Sequence, residues 1–303
     1  MRRFGNYEIL SLIGRGGMAE VHRARALSGP FRGRDVALKR LMPEHSEDLA
    51  YVDLFTGEAD IGRWLDHPHI VQLIDAGVLE NIFYIAMEWV EGHDLATIIY
   101  RCQELRVVFP IEFAVYMVSC ILEALAYAHA AFNPSGTHLR LVHCDVTPSN
   151  IFVSRSGDVK LGDFGVARAR AVVGDGQSYG KPSYLSPEQI EGAEVNPRVD
   201  LWAVAVILYE LLAGRRPFRG ESAEAIARDI LRASPQPIHQ IRPEVPAGLS
   251  EVLEQAFQRD PEARYQTAEF FLEAIEPFQA PQVADGPALA QLIQGLFAPG
   301  TSG

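Results

Sequence analysis

Cysteine is scarce: Cys102, Cys120 and Cys144 are the only three in 303 residues, and no pair stands in a CxxC spacing. So sparse and odd a set excludes a disulfide framework and a cysteine-ligated zinc site, and it fits a reducing, cytoplasmic setting. Basic residues are outnumbered, 27 Lys and Arg against 39 Asp and Glu, for a formal charge of −12. A chain this acidic has no broad face suited to a phosphate backbone, so nucleic acid is not an expected partner. Long apolar runs are missing as well. The most apolar stretch, LWAVAVILYELLAG from Leu201 to Gly214, follows Asp200 and contains Glu210, and it is shorter than the ~20 residues that cross a bilayer. It reads as a buried core helix, and no membrane insertion is expected. The opening MRRFGNYEIL carries two arginines without a following apolar segment, and the closing APGTSG has no prenylation box. Neither an export signal nor a lipid anchor is therefore expected.

What is present is the composition of a folded chain, 48% hydrophobic and 22% charged, with length enough for one large core or two modest ones. From Asn6 to about Glu88 the segments YEILSLI, EVHRARAL, DVALKRL and IFYIAME read as strands between glycine-bearing turns, with one helical stretch near Asp48 to Asp66. After Glu91 and Gly92 helical periodicity takes over, across Ile111 to Ala131, Pro197 to Ala213, Ala223 to Ala233, Leu249 to Gln258 and Thr267 to Ile275. Strands followed by helices predict an α+β chain of two packed parts joined around Trp89 to His93, with a ligand cleft between them. The segment FNPSGTHLRL after Ala131 carries turn signals and predicts an exposed excursion such as a hairpin. Near the end, QAPQVADGP reads as a loop ahead of a short amphipathic stretch, LAQLIQGLF, that either docks or frays.

Four clusters carry chemistry. In IGRGGMAEV, Gly14, Gly16 and Gly17 sit at a turn between two strands, where glycine lets backbone amides approach phosphate oxygens. A plain hairpin turn fits the same residues; a Walker A loop does not, because no GK[ST] follows, and a Rossmann turn does not, because a strand follows. In VALKRL, Lys39 is either a solvent-facing strand lysine or a cation that reaches phosphates under the glycine turn, with Glu58 as its candidate ion-pair partner. In VHCDVTPSN and LGDFGVAR, Asp145, Asn150 and Asp163 flank a short strand-turn-strand. Hard oxygen ligands converging beside phosphates suit Mg²⁺, which takes one or two protein carboxylates and keeps its waters. One such cluster is weak; all four in this order do not arise by chance.

With these clusters the sequence resembles a protein kinase, more narrowly the bacterial Hanks-type Ser/Thr family, from about Tyr7 to Phe278. The likeness extends to YLSPEQ with Glu188, DLWAVAVILYELLAGRRPF with Asp200, and DPEARYQTA with Arg264. It implies a bilobal protein-kinase-like fold: a small β-rich N-lobe with one helix over 1–90, a larger helical C-lobe over 91–278, and a tail over 279–303 with a short amphipathic helix. It implies ATP and Mg²⁺ as cofactors and protein substrates as partners. Asp145 would accept or orient the substrate hydroxyl, Asn150 and Asp163 would hold Mg²⁺, and Lys39, fixed by Glu58, would clamp the α and β phosphates. By the same likeness Met87 is a gatekeeper, the backbone of Glu88 and Val90 binds adenine, Asp94 lies near the ribose, and Ile13, Val21, Ala37 and Phe152 wall the adenine pocket. Glu188 and Arg264 look like a buried structural pair.

Three departures matter. Cys144 stands where the family has the arginine that reads activation-loop phosphorylation, which implies activity without that switch. Between Asp163 and Glu188 the hydroxyl residues are Ser178, Tyr179, Ser183, Tyr184 and Ser186, with no threonine, so the usual threonine sites are missing. Thr147 stands where Ser/Thr kinases carry a lysine, and Lys181 stands where they carry a threonine. The expectation is an exchange, Lys181 supplying the cation from the opposite wall of the site and Thr147 the hydroxyl. Ala19 replaces the third glycine. His143 reads as a brace for the catalytic loop, and His67, His69 and His129 as core or turn residues rather than metal ligands. Two other readings remain: a pseudokinase serving as a nucleotide-sensing scaffold, and a small-molecule phosphotransferase, which the full activation segment disfavours. Regulation is expected from a protein partner, the tail, or phosphorylation in trans.

Overall fold

Alternation along AEVHRARA and DVALKRL puts every second side chain on one face of a sheet, and the computed structural model, which describes residues 2–164 and 182–298, uses both faces. The chain divides into two units. The first is Met1–Val90, rejoined by Asp163 and Phe164; the second is Glu91–Gly162 and the chain from Pro182 onward. Asp163 and Phe164 thus pack with the first unit although the sequence reading places them within the span 91–278.

In the first unit β1 (Arg2–Phe4), β2 (Tyr7–Arg15), β3 (Ala19–Ala26), β4 (Asp35–Leu41), β5 (Leu73–Leu79) and β6 (Ile82–Glu88) form an antiparallel sheet in the order β1-β2-β3-β4-β6-β5. One face buries Ala24, Val36, Leu38 and Ala86 with Phe4 and Tyr7. The other buries Ala19, Leu41 and Ile85 under α1 (Leu49–Gly62), which contributes Phe55 and Ala59. Asp48 starts α1 by accepting the Ala50 N–H at 2.9 Å. The strand β5 carries no alternation in its sequence, LIDAGVL, because one of its residues serves its neighbours. Asp75 accepts hydrogen bonds from the Tyr7 and Tyr84 hydroxyls, both at 2.9 Å. Gly77 lies beside the Tyr84 ring, which would stand in ordinary contact, 3.4 Å, with a Cβ there.

The second unit opens with β7 (Gly92–Asp94), which pairs with β8 (Ile151–Ser154), itself paired with β9 (Val159–Leu161). The helices are α2 (Leu95–Leu105), α3 (Ile111–His129), α4 (Pro187–Ile190), α5 (Arg198–Ala213), α6 (Ala223–Arg232), α7 (Ile238–Ile241), α8 (Ala247–Ala256), α9 (Ala268–Ile275) and α10 (Gly286–Leu296). From Val199 to Leu212 every residue of α5 is buried, which makes it the central helix and explains why its sequence is apolar all round. It stops at Gly214, whose φ of 66° is the left-handed conformation of a helix C-cap. By length and composition α3 would cross a membrane, but Val115, Met117, Val118, Ile121, Leu122 and Leu125 are buried in this unit. The excursion after Ala131 is a tight hairpin: Phe132 and His138 form a bridge, and Asn133 Oδ1 accepts from the N–H groups of Ser135 and Thr137.

Glu188 and Arg264 lie almost wholly out of solvent and meet in two parallel bonds of 2.7 and 2.8 Å. Arg264 also donates to the carbonyls of Gln258 and Arg259 and sits 4.7 Å from the centre of the Trp202 ring. Removing one partner of such a pair leaves the other as an uncompensated buried charge. Glu188→Ala is expected to destabilise the protein by about 3 kcal/mol or more, read as a drop in the denaturant midpoint with little change in slope; a loss within about 0.5 kcal/mol would contradict a structural role for the pair.

Candidate active site

The strand register brings the first two clusters together. Gly14 pairs with Val21, Val21 with Lys39, and Lys39 with Ile85, so one rung runs across four strands; on the next, Ala37 pairs with Met87. Directly paired residues share a face, which puts Lys39, Val21, Ala37 and Met87 on the α1 side of the sheet. The glycines at the turn answer no need of the protein's own packing. None of the three has a positive φ, a Cβ on Gly14 or Gly17 would meet nothing within 4 Å, and one on Gly16 would make an ordinary contact with the Ala19 carbonyl. Close approach of a ligand is the use that remains. Ala19 is buried and its backbone carbonyl closes the turn by accepting the Gly16 N–H at 2.9 Å. Ile13 is 48% exposed on β2.

Lys39 and Glu58 are both buried. A glutamate on the inner face of α1 would be costly alone, but Lys39 Nζ donates to its two oxygens at 2.7 and 2.8 Å and to Asp163 Oδ1 at 3.2 Å. Burial works against the ammonium, yet Asp163 and Glu58 together outweigh it and hold the Lys39 pKa above the ordinary lysine value. Asp163 sits at a left-handed kink, φ 61°. Beside this group lies a recess lined by Glu58, Leu65, Ile85, Met87, Asp163 and Phe164.

In the second unit the catalytic-loop cluster hangs from one carboxylate. Asp200, in the first turn of α5, is 1% exposed. Its Oδ1 accepts the Cys144 N–H, and its Oδ2 accepts the His143 N–H and His129 Nε2, all at 2.8 Å. Cys144 is held at φ 62°, a conformation that costs about 1 kcal/mol or more for a residue with a Cβ. His143 donates from Nε2 to the Gly162 carbonyl at 2.9 Å and accepts the Asp145 N–H at Nδ1, 3.2 Å, which fixes its tautomer. Asn150 Nδ2 donates to both the backbone carbonyl and Oδ2 of Asp145 at 2.9 Å, turning its amide oxygen the other way. Thr147 is buried, with its hydroxyl 3.0 Å from that of Ser149.

The remaining residues fall as follows. Asp94 caps α2, accepting the Thr97 N–H at 2.8 Å and its hydroxyl at 2.9 Å, a signal present in DLAT but not read as a helix start. Phe152 pairs with Asp94 across β7 and β8. The Glu88 N–H donates to the Gln72 carbonyl, and Val90 closes the first unit. Ser183 and Tyr184 are buried; Arg216 donates to the Ser183 hydroxyl, and the Tyr184 hydroxyl donates to Glu210 at 2.6 Å. Burial first, and Glu210 second, push the Tyr184 phenol well above its ordinary pKa. Ser178, Tyr179 and Lys181 lie outside the described residues. Sequence reasoning left Asp200 without a role, although an acidic residue heading an otherwise apolar helix is the signal for one.

By chemistry each unit offers a hard oxygen of the kind Mg²⁺ takes, the Asp163 carboxylate in the first and the Asn150 amide oxygen in the second. A model of the protein kinase domain matches residues 7–274, and the chain belongs to the protein kinase family. It is 34% identical over 302 residues to the tyrosine-protein kinase MasK of Myxococcus xanthus, covering 98% of this chain and 47% of MasK. It is 37% identical over 268 residues to the serine/threonine-protein kinase PrkC of Bacillus subtilis, covering 88% of this chain and 39% of PrkC. The chain thus spans less than half the length of these curated relatives. The crystal structure of the Mycobacterium tuberculosis PknI kinase domain superposes with a TM-score of 0.67 at 27% identity, covering 91% of this chain and 97% of that one. The fold is therefore the protein kinase fold, with a β-rich N-lobe and a helical C-lobe; α10 lies beyond the matched span.

Because the folded pKa of Lys39 is raised, its contribution to stability is complete below the ordinary lysine value of about 10.4 and is lost only as pH rises through the folded value. The difference in unfolding free energy between the protein and Lys39→Met is expected to stay flat from about pH 7 to about pH 9 and to shrink only at higher pH. Chemical denaturation across that range checks it; a decay within the window would mean that Lys39 loses its proton early.

Proposed function

We propose that this chain is the catalytic domain of an ATP-dependent protein kinase that transfers the γ-phosphoryl group to Ser/Thr hydroxyls of protein substrates. The observation that carries this reading is the buried Lys39, bonded at once to Glu58 and Asp163. A fold-stabilising lysine needs one carboxylate, and a second at the surface of the same recess is what a phosphate clamp beside a metal ligand requires. Kinship with PrkC, named a serine/threonine-protein kinase, supports the acceptor class.

In this reading Lys39 binds the α and β phosphates, and Glu58 keeps its ammonium from swinging away. Asp163 and the Asn150 amide oxygen are the residues that would hold Mg²⁺, which when bound neutralises charge on the phosphates. Asp145, oriented by Asn150, takes the proton of the substrate hydroxyl while that oxygen bonds to the γ-phosphorus and the bond to the β-phosphate oxygen breaks, releasing ADP. Asp94 faces the ribose; Ile13, Val21, Ala37, Met87 and Phe152 enclose the base, with Glu88 and Val90 meeting it through their backbones. Lys181 replaces the cation that Thr147 lacks. The setting is cytoplasmic, in keeping with three buried cysteines, none of them in a disulfide. A nucleotide-sensing scaffold would have no use for the bond that orients Asp145.

Incubation with labelled ATP, Mg²⁺ and a generic protein substrate, followed by phosphoamino-acid analysis, tests the reading. Label on Ser and Thr that disappears in Asp145→Ala is expected. Phosphotyrosine as the main product would move the acceptor class to that in the name of MasK, and nucleotide binding without transfer would favour the scaffold. Lys181→Met is expected to lower kcat by about a hundredfold while leaving ATP affinity near that of the parent; unchanged turnover would sink the exchange of Lys181 with Thr147.

A further inference from the structure

The helix α10, outside the matched kinase span, is fastened at both ends. Its first residue meets the β8–β9 turn backbone to backbone: a Cβ on Gly157, whose φ is 89°, would fall 1.7 Å from the Gly286 carbonyl oxygen. Asp285 caps the helix, accepting the Ala288 N–H at 2.8 Å, and Leu289, Ala290 and Ile293 are buried. The last carbonyls of a helix have no intrahelical donor, and here Arg101 Nε of α2 donates to the Leu296 carbonyl at 2.9 Å. One residue further, Phe297 lies flat on His93, with ring centroids 3.8 Å apart and planes 9° apart.

These two contacts bracket Asp94. His93 is the middle residue of β7, a three-residue edge strand whose one partner among the described residues is β8, and so short a strand is held by few bonds. Asp94 is both the last residue of β7 and the cap of α2, the helix that carries Arg101. Phe297 braces the strand on one side of Asp94 and the Arg101–Leu296 bond braces the helix on the other. The Asp94 carboxylate already accepts two bonds from Thr97, so its orientation follows that of the strand and helix together. With about four lone-pair sites it retains capacity for further donors, and vicinal hydroxyls discriminate sharply by the position of such an acceptor.

We propose that the C-terminal helix is a clip that holds Asp94 in place for the sugar of the nucleotide, through the Phe297–His93 stack and the Arg101–Leu296 bond. The inference rests on the kinase reading, in which Asp94 faces the ribose. Phe297 and Arg101 are positioning residues; neither touches the nucleotide.

Calorimetric binding of ATP and of 2′-deoxy-ATP, each with Mg²⁺, to the full chain and to its Phe297→Ala and Phe297→Tyr variants tests the clip, with the melting transition of each protein as a check on folding. Loss of an aromatic stack is worth about three- to tenfold, so Phe297→Ala is expected to weaken ATP by that factor, to leave 2′-deoxy-ATP little changed, and so to erase most of the preference for ribose. Phe297→Tyr, which keeps the stack, restores that preference. Equal weakening of both nucleotides, or none, in Phe297→Ala would overturn the clip while leaving the kinase reading intact. A parent protein that binds both nucleotides alike would overturn the clip together with the sugar role of Asp94. One that binds no ATP at all would sink the kinase reading, and the clip with it.

Discussion

A single buried carboxylate sets the geometry on which the second unit's chemistry depends. Asp200 has almost no contact with water, and an ionised carboxylate in such a place is tolerable only when its lone pairs are filled. Two backbone N–H groups and one imidazole fill them. The consequence runs outward: Cys144 is kept in a left-handed conformation it would not choose, and the turn this makes aims Asp145 away from the core while the next residues, Val146 and Thr147, point back into it. His143, pinned to Gly162, ties the same loop to the chain just before Asp163. Strain at one residue is thus offset by bonds to a helix that cannot move without disturbing the whole core of that unit.

The first unit follows the same logic with the charges reversed. There a cation is taken from water and two carboxylates compensate it. The pairing differs from Glu188 with Arg264, where both charges meet in a closed, bidentate geometry and the arginine's further donors are spent on carbonyls. Lys39 is shared between a fully enclosed carboxylate and one whose side chain is 39% exposed. The closed pair is structural; the open one leaves charge at a recess wall where a ligand can compete for it.

Much of this was legible in the sequence. The alternation of DVALKRL fixed β4 to the residue, and the expected pairing of Lys39 with Glu58 is present. Legibility failed where a residue serves a neighbour rather than its own element. LIDAGVL has no strand pattern because Asp75 answers to tyrosines on other strands. The helix α2 went unread although Asp94 and Thr97 spell its cap, since the family likeness drew Asp94 to the ribose and left Thr97 without a role. The role of Asp200 depends on contacts 56 and 57 residues away, a separation no local pattern encodes. The hairpin after Ala131 and the amphipathic tail announced themselves through turn residues and spacing, but what the tail packs against did not.

The meeting of Gly157 with Gly286 is made by main-chain atoms on both sides. It sets a steric condition, a position without a Cβ in the β8–β9 turn. An interface of that kind behaves as a socket rather than a lock. A single added methyl group at residue 157 would fall 1.7 Å from the Gly286 carbonyl oxygen and close the socket to the helix.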